Sequence, residues 1–392
     1  VIAICGNSAV GCLYGVEHFN TELLGSDYSK DTPEEKRTVL EKIPDLQIVE
    51  EPAINERGIW TWGFPIFDYR EFLNNMARLR MNTLIVWNDV IPIDMQDIIK
   101  YAEELGIKII PGFHWGWGKT LDLSDRSVIE KIKNHVITSY RKDYANIEHA
   151  GIYFQTLTET TETEINSVPI IKLVCDMVNE IGRALLEEYP ELKIYFGLHA
   201  TSVAEKYDVL EGLDSRISII WEDAGTIPYC TDPLTDTYQS CRGCHSPLNT
   251  VDKTIAYSKK IAALRNYKEF KIVAKGFPNI LWNTFENHHG FLMGAHTPYQ
   301  IKQRLDARMS LWNRVNALWL KNYPHVLRFF NEVLEVNPKE TMATVLIEDC
   351  MFEAGIQDGA AILGAILWNP GREKDYYFKY VANDYYRQIK LY

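Results

Sequence analysis

The strongest constraint on the fold is a regular alternation that begins at Glu56. Short apolar runs rich in β-branched and aromatic residues are followed by amphipathic helical stretches, which is typical of parallel βαβ units. Strands are predicted at 57–62, 82–87, 107–113, 151–157, 193–198, 217–222, 271–276 and 315–320. Helices are predicted most clearly at 69–80, 93–105, 128–142, 169–189, 202–213, 251–266 and 298–313. Eight such units fit one (β/α)8 TIM barrel, which takes about 250 residues.

An open doubly wound sheet is the alternative arrangement of the same units. It usually carries a Gly-rich phosphate loop after its first strand. The first predicted strand here runs through RGIWTWGFP, which is no such loop. The barrel is therefore the expected fold.

The flanks of this pattern predict two appendages, as expected for a chain of 392 residues. The first 25 residues contain one short strand and one helix, too little to bury a core, and a polar linker follows. We interpret 1–50 as the end of an N-terminal α+β domain with its linker and 51–336 as a catalytic barrel. Residues 337–392 are interpreted as a C-terminal helical region, with helices at 340–355 and 373–389.

Composition excludes several classes of protein. The net charge is -12 without a basic cluster, so a nucleic-acid partner is not expected. No apolar run approaches the roughly 20 residues that cross a bilayer. The seven cysteines form no regular framework, which favours a cytoplasmic location over a disulfide-stapled secreted one. The chain begins with Val1 rather than Met, which indicates a cut end and leaves the compartment open.

The segment CRGCH also contains thiols that could bind a metal. We expect an incidental polar loop, with structural zinc as the alternative, and neither a metal nor a cofactor for catalysis. The four possible zinc ligands are Cys230, Cys241, Cys244 and His245.

Active sites of TIM barrels lie at the C-terminal ends of the strands, so the residues that follow each strand are the candidates. These positions are rich in tryptophan, histidine, asparagine and carboxylates, which together describe a sugar pocket. The candidate substrate-binding residues are Trp62, Trp87, Asn88, His114, Trp115, His199, Glu222, Lys275, Trp282 and Asn283. The histidines are expected to orient substrate or support structure, because no HExxH-like spacing indicates a metal site.

Cleavage of a glycoside needs one protonated carboxyl group and a second carboxylate. Glu159 is the candidate acid because it directly follows the apolar run GIYFQTL, whereas Glu162 and Glu164 read as loop charges. Asp223 and Glu286 are the candidates for the second role. Asp223 follows the strand ISIIW, and Glu286 lies in the dense polar and aromatic segment WNTFENHH.

Several motifs resemble glycoside hydrolase families 20 and 67. GNSAVGCLYGVEHF looks like the end of the small domain that precedes the barrel in both families, and ERGIWTWG with YREFLNNMARLRMNTLIVWND resembles their first two strands. YAEELGIKIIPGFHWGWG and LDLSDRSVIEKI are closer to the family 67 α-glucuronidases. By this resemblance Glu159 matches the general acid of both families. Family 20 places an aspartate before that glutamate to orient the acetamido group of the substrate, and here the position is Thr158.

The resemblance to family 67 implies an exo-acting, inverting, α-glucuronidase-like hydrolase. Glu159 would donate the proton, and Asp223 and Glu286 would polarise water. Trp62, Trp115 and Trp282 would pack the sugar, while Lys275 would pair with a uronate carboxylate. A family 20-like β-N-acetylhexosaminidase and a non-catalytic carbohydrate-binding barrel are the alternatives.

Overall fold

The computed structural model describes residues 2–24, 41–62, 66, 68–87, 91–92, 94–117, 120–160, 162–199, 203, 206–222, 250–274, 299, 306, 320–347 and 358–382. Eight parallel strands within these ranges form a closed barrel. They are β1 (Glu56–Trp62), β2 (Thr83–Trp87), β3 (Lys108–Gly112), β4 (Ile152–Gln155), β5 (Ile194–His199), β6 (Ile217–Glu222), β7 (Glu269–Ala274) and β8 (Glu340–Leu346). Each strand pairs with its chain neighbours, and β8 closes the barrel against β1. The predicted TIM barrel is confirmed.

Most of the helices connect consecutive strands, while one precedes β1 and two follow β8. The helices are α1 (Ala9–His18), α2 (Tyr69–Arg78), α3 (Met95–Glu104), α4 (Arg126–Ser139), α5 (Ile170–Glu188), α6 (Val251–Leu264), α7 (Asp358–Trp368) and α8 (Lys374–Ala382). π-helical turns follow α1 and α4 at Phe19–Leu24 and Tyr140–Tyr144, and a 3-10 turn spans Tyr207–Gly212. Residues 320–334 are also helical, and Glu164–Ile165 pairs with Val168–Pro169 in a short hairpin. None of the helices among the described residues is long and apolar enough to cross a membrane.

The eighth strand is where the sequence prediction was wrong. It was placed at 315–320, but Leu320 is helical and 315–319 lie outside the described residues. The strand is Glu340–Leu346, in the region predicted as the helix 340–355. Its segment ETMATVL contains β-branched residues, which suit a strand. Closure also requires a strand that pairs with both β1 and β7, and this one does.

The predicted barrel boundary at residue 336 was therefore wrong as well. α7 follows β8 as the outer helix of that unit. Its end meets the residues before β1, since the backbone N–H groups of Ala53 and Ile54 donate to the carbonyls of Trp368 and Leu367. Gly364 lies so close to α2 that an added Cβ would be 2.8 Å from the Leu79 carbonyl oxygen. That the N-terminal residues belong to an α+β domain stays a prediction.

Alternating side chains on the strands build two cores. Outward side chains form the outer core together with helix residues, and in it Trp115 and Phe154 stack on each other with ring centroids 3.7 Å apart. α2 shows the helical side of this core, because it buries Phe72, Leu73 and Met76. Each of those side chains contributes about 1.5–3 kcal/mol by leaving water. The inward core of the barrel consists of Trp60, Ile85, Trp87, Ile110, Tyr153, Tyr195, Ile220, Val273, Met342 and Leu346.

Buried charges occupy the N-terminal end of the barrel. Lys271 Nζ lies 3.3 Å from Glu269 Oε2 and 3.1 Å from Glu340 Oε2, and the side chains of Lys271 and Glu269 are almost fully buried. A cluster of carboxyl and aromatic side chains lies at the opposite end, where barrel enzymes carry their active sites.

Candidate active site

Glu159 lies four residues beyond the end of β4, on a turn at the C-terminal mouth of the barrel. The turn is fixed on both sides: Thr158 N–H donates to the Thr156 carbonyl oxygen over 2.8 Å, and the hydroxyl of Thr158 accepts from the His199 backbone N–H over 3.3 Å. The Glu159 side chain is 31% exposed. Its Oε2 accepts a hydrogen bond of 3.0 Å from Trp117 Nε1. The carboxyl group is thus held by an indole while part of it stays accessible.

A second carboxylate, Glu222, lies below Glu159 at the end of β6. Its side chain is fully buried, and its Oε1 accepts hydrogen bonds from the Tyr153 hydroxyl and from Gln155 Nε2. Both donors come from inward positions of β4. Burial, followed by the charge of Glu222, holds the pKa of Tyr153 well above its usual value, so the phenol remains a donor. A buried carboxylate requires such donors, because losing a partner of a buried charge costs about 3–5 kcal/mol.

His199 joins the two carboxylates. It ends β5 and is nearly buried, with Nε2 3.2 Å from Glu222 Oε2 and 3.7 Å from Glu159 Oε2. The shorter distance is to Glu222, so a proton on Nε2 lies closer to that carboxylate. The histidine therefore fixes the spacing between an enclosed carboxylate and a partly exposed one.

Gly197 makes room for this cluster. It lies in the middle of β5, where a Cβ would be 2.1 Å from the Tyr153 hydroxyl oxygen and 2.7 Å from Glu222 Oε1. Any side chain would displace the two groups. A glycine inside a strand often marks such a close approach, and here it lets a tyrosine from β4 reach a glutamate from β6.

Aromatic rings line the barrel side of the site. Trp87 packs edge-to-face against Trp117 and Tyr153, with centroids 6.0 and 5.5 Å apart, and Trp60 packs in the same way against Tyr153 at 6.0 Å. Trp87 is buried while Trp117 is half-buried. Indole and phenol rings offer apolar faces with a polar edge, which suits a ligand that is itself both apolar and polar.

The structure gives two predicted substrate-binding residues, Trp115 and His114, partners outside the barrel interior. Trp115 is fully buried in the outer core and stacks on Phe154, because its side chain points to the helices rather than into the barrel. His114 stacks on His135 of α4 with centroids 5.2 Å apart, and its Nδ1 accepts from Gly116 N–H. The tryptophan of that loop that reaches the acid is Trp117.

Four residues of the site were not among the predicted ones: Trp117, Tyr153, Gln155 and Gly197. Tyr153 and Gln155 could have been predicted, because side chains alternate along β4 and these two point into the barrel. For Trp117 the signal was its place in HWGWG after a strand, but strand alternation does not apply in this loop and nothing in the sequence separates Trp117 from Trp115. Of Trp62, only the backbone is described, at the end of β1.

Much of the predicted site lies outside the described residues. This holds for the candidate carboxylates Asp223 and Glu286, for the possible zinc ligands Cys230, Cys241, Cys244 and His245, and for Asn88, Lys275, Trp282 and Asn283. Within the described part of the chain, no group of three or more His, Cys, Asp or Glu side chains is arranged to hold a metal ion.

Neither a scan against protein-family models nor a search of curated proteins finds a match. Solved structures do show similarity. A β-N-acetylhexosaminidase from Bacteroides fragilis aligns with 12% identity and a TM-score of 0.47, covering 85% of this chain and 70% of that one. An endo-1,4-β-mannanase from Rhizomucor miehei aligns with 10% identity and a TM-score of 0.42, and the alignment covers 81% of this chain and 96% of that one.

A D-psicose 3-epimerase from Clostridium cellulolyticum aligns with 12% identity and a TM-score of 0.35, covering 86% of this chain and 99% of that one. These proteins differ in reaction although each aligns with most of this chain.

Proposed function

We propose that the protein is a glycoside hydrolase in which Glu159 is the general acid. The observation that carries the proposal is the pair of unlike carboxyl groups joined by His199. One is partly exposed and accepts a hydrogen bond from an indole. The other is enclosed, accepts hydrogen bonds from two side chains and lies 3.2 Å from His199 Nε2. The enclosed carboxyl group would position the histidine beside the exposed one, and a positioned carboxyl group that a substrate can reach is what general acid catalysis requires.

Glu159 would protonate the glycosidic oxygen as its bond to the sugar breaks. It is the member of the pair that a substrate can reach, and Trp117 fixes its direction. Trp87 and Trp117 would pack the sugar beside it. A general acid must lie within hydrogen-bonding distance of the leaving group, and this placement would allow it.

Glu222 is better suited to positioning than to attack. Its Oε1 already accepts two hydrogen bonds and its Oε2 faces His199, so the carboxylate holds the imidazole under Glu159. The base that activates water would then be Asp223 or Glu286. In an inverting enzyme, that base would lie about 6.5–9.5 Å from the acid.

An exo-acting, inverting, α-glucuronidase-like reaction is the version of this function that we favour, with Lys275 as the partner of a uronate carboxylate. A substrate-assisted hexosaminidase fits less well. Thr158 stands where that chemistry needs a carboxylate, and its hydroxyl is fully buried and accepts from the His199 backbone. It has neither the charge nor the exposure to orient an acetamido group.

A screen of 4-nitrophenyl α- and β-glycosides, including glucuronides and N-acetylhexosaminides, tests the proposal. Glu159→Gln is expected to lower kcat by at least about 100-fold, the scale of a lost acid catalyst. Glu162→Gln is the matched control, since Glu162 is exposed on the same loop, and it should keep full activity. A non-catalytic sugar-binding barrel would bind monosaccharides without turnover of any glycoside, and that outcome would overturn the proposal.

A further inference from the structure

Gln155 is a buried amide whose two ends have different partners. It is the last residue of β4, it points into the barrel, and its side chain is 1% exposed. Its Nε2 donates to Glu222 Oε1 and lies 3.2 Å from the Tyr153 hydroxyl. Its Oε1 has no hydrogen-bond partner among the residues that the structure describes. Buried acceptors are rarely left this way, so the carbonyl end calls for a donor.

The orientation of the amide follows from chemistry. Turning it over would bring Oε1 against the Glu222 carboxylate, where two acceptors would face each other. Because Nε2 must point to Glu222, the carbonyl oxygen must point away from it. Glu222, Tyr153 and Gly197 together therefore hold a carbonyl acceptor in a fixed direction at the level of the proposed active site.

We infer that Gln155 Oε1 accepts a hydrogen bond from one hydroxyl group of the bound sugar and selects substrates that carry this hydroxyl. The inference rests on the proposed glycosidase function and assigns one of its specificity contacts. The required partner is a donor, because Oε1 can only accept. A hydroxyl fits this end of the site, whereas the carboxylate of a uronic acid would have to face elsewhere.

Such a contact gives strong selection. A substrate that lacks the hydroxyl leaves Oε1 desolvated and unpaired, which is costlier than losing the same bond in water. The expected penalty is roughly 5- to 150-fold in kcat/KM. Glu222 would support this selection indirectly, by holding the amide.

The test uses the 4-nitrophenyl glycoside that the protein hydrolyses best and the set of its monodeoxy analogues. In the unaltered protein, one deoxy position should lose kcat/KM by the stated factor. In Gln155→Met, the parent glycoside should fall to about the level of that analogue, and discrimination at that position alone should vanish. Thr156→Val is the matched control. Thr156 is the next residue and also carries a buried hydroxyl without a partner among the described residues, and its variant should keep the discrimination.

A uniform loss in Gln155→Met across the parent and every analogue would overturn the inference, because it would mean that the carbonyl bonds an internal water or serves packing. Should Gln155→Met fail to fold, the deoxy series on the unaltered protein still decides, since a penalty below about threefold at every position contradicts it.

Failure of the proposed function is separable from failure of the inference. Isothermal titration of Glu159→Gln with free monosaccharides and their deoxy forms measures the hydroxyl contact without turnover. Binding that depends on one hydroxyl in Glu159→Gln, and loses that dependence when Gln155→Met is added, supports the inference even if no glycoside is cleaved. Equal affinity for all the deoxy forms in Glu159→Gln counts against it.

Discussion

Replacing Gly197 with alanine is expected to dislodge the carboxylate that holds the site together. The new Cβ would be 2.1 Å from the Tyr153 hydroxyl oxygen and 2.7 Å from Glu222 Oε1, and atoms essentially never approach so closely. Gly197 is in the centre of a barrel strand, so the backbone cannot retreat without loss of pairing with β4 and β6. Tyr153 and Glu222 must move instead.

Two costs set the magnitude. Overpacking of a tight interior costs about 1–3 kcal/mol. A hydrogen bond to a charged group contributes about 1.5–3 kcal/mol, and moving the tyrosine away from Glu222 loses it. The free energy of unfolding should therefore fall by about 2.5–6 kcal/mol. The value of kcat/KM should fall with it, because His199 loses its fixed partner.

Urea unfolding at neutral pH and kinetics on the best glycoside measure both effects. Gly212→Ala is the control, because Gly212 has no atom within 4 Å of an added Cβ, and its unfolding free energy should change by less than about 1 kcal/mol. If Gly197→Ala behaves like Gly212→Ala in stability and activity, Tyr153 and Glu222 do not meet across this glycine and the reasoning is refuted.

Three further changes test other parts of the account. Trp117→Phe removes the donor to Glu159 and should lower kcat/KM roughly 10- to 100-fold with little change in unfolding free energy; unchanged kinetics would contradict the contact. Trp115→Ala should instead lower the unfolding free energy by about 3–5 kcal/mol, and its calorimetric Tm checks this. Burial lowers the pKa of His149 from 6.5 to about 4. As the pH falls, the unfolded chain therefore binds a proton at His149 before the folded protein does. The stability that depends on neutral His149 is complete above pH 6.5. It declines as the pH falls towards 4, by at most about 3 kcal/mol. His149→Gln should lose that part of the pH dependence in urea titrations, and a curve parallel to that of the unaltered protein would be inconsistent with the shift.

The alternation of strands and helices predicted the barrel because each βαβ unit repeats the same local pattern. The eighth strand was placed in the wrong segment because VNALWL is more apolar than ETMATVL. Only pairing with both β1 and β7, which closes the barrel, distinguishes the two segments. Hydrophobicity alone carries no information about which edge needs a partner.

At the site, the structure brings together predicted residues that lie on a strand or at its tip, whereas strand alternation gives no guide to the residues in the loops. Glu222 and His199 end their strands, and the structure brings them together with Glu159. In HWGWG both tryptophans are equally plausible by sequence, and only the path of the loop sends Trp115 outward and Trp117 to the acid. The role of Gly197 depends on side chains from two neighbouring strands, which no local pattern reports.

The acid role of Glu159 is tested most directly by leaving-group dependence. Aryl glycosides with poor leaving groups need a proton on the departing oxygen, whereas a 2,4-dinitrophenolate leaves without one. In Glu159→Gln, kcat/KM is expected to fall by at least about 100-fold for poor leaving groups and by less than about tenfold for the dinitrophenyl glycoside. Equal losses across the series, or none, would contradict the assignment of Glu159 as the proton donor.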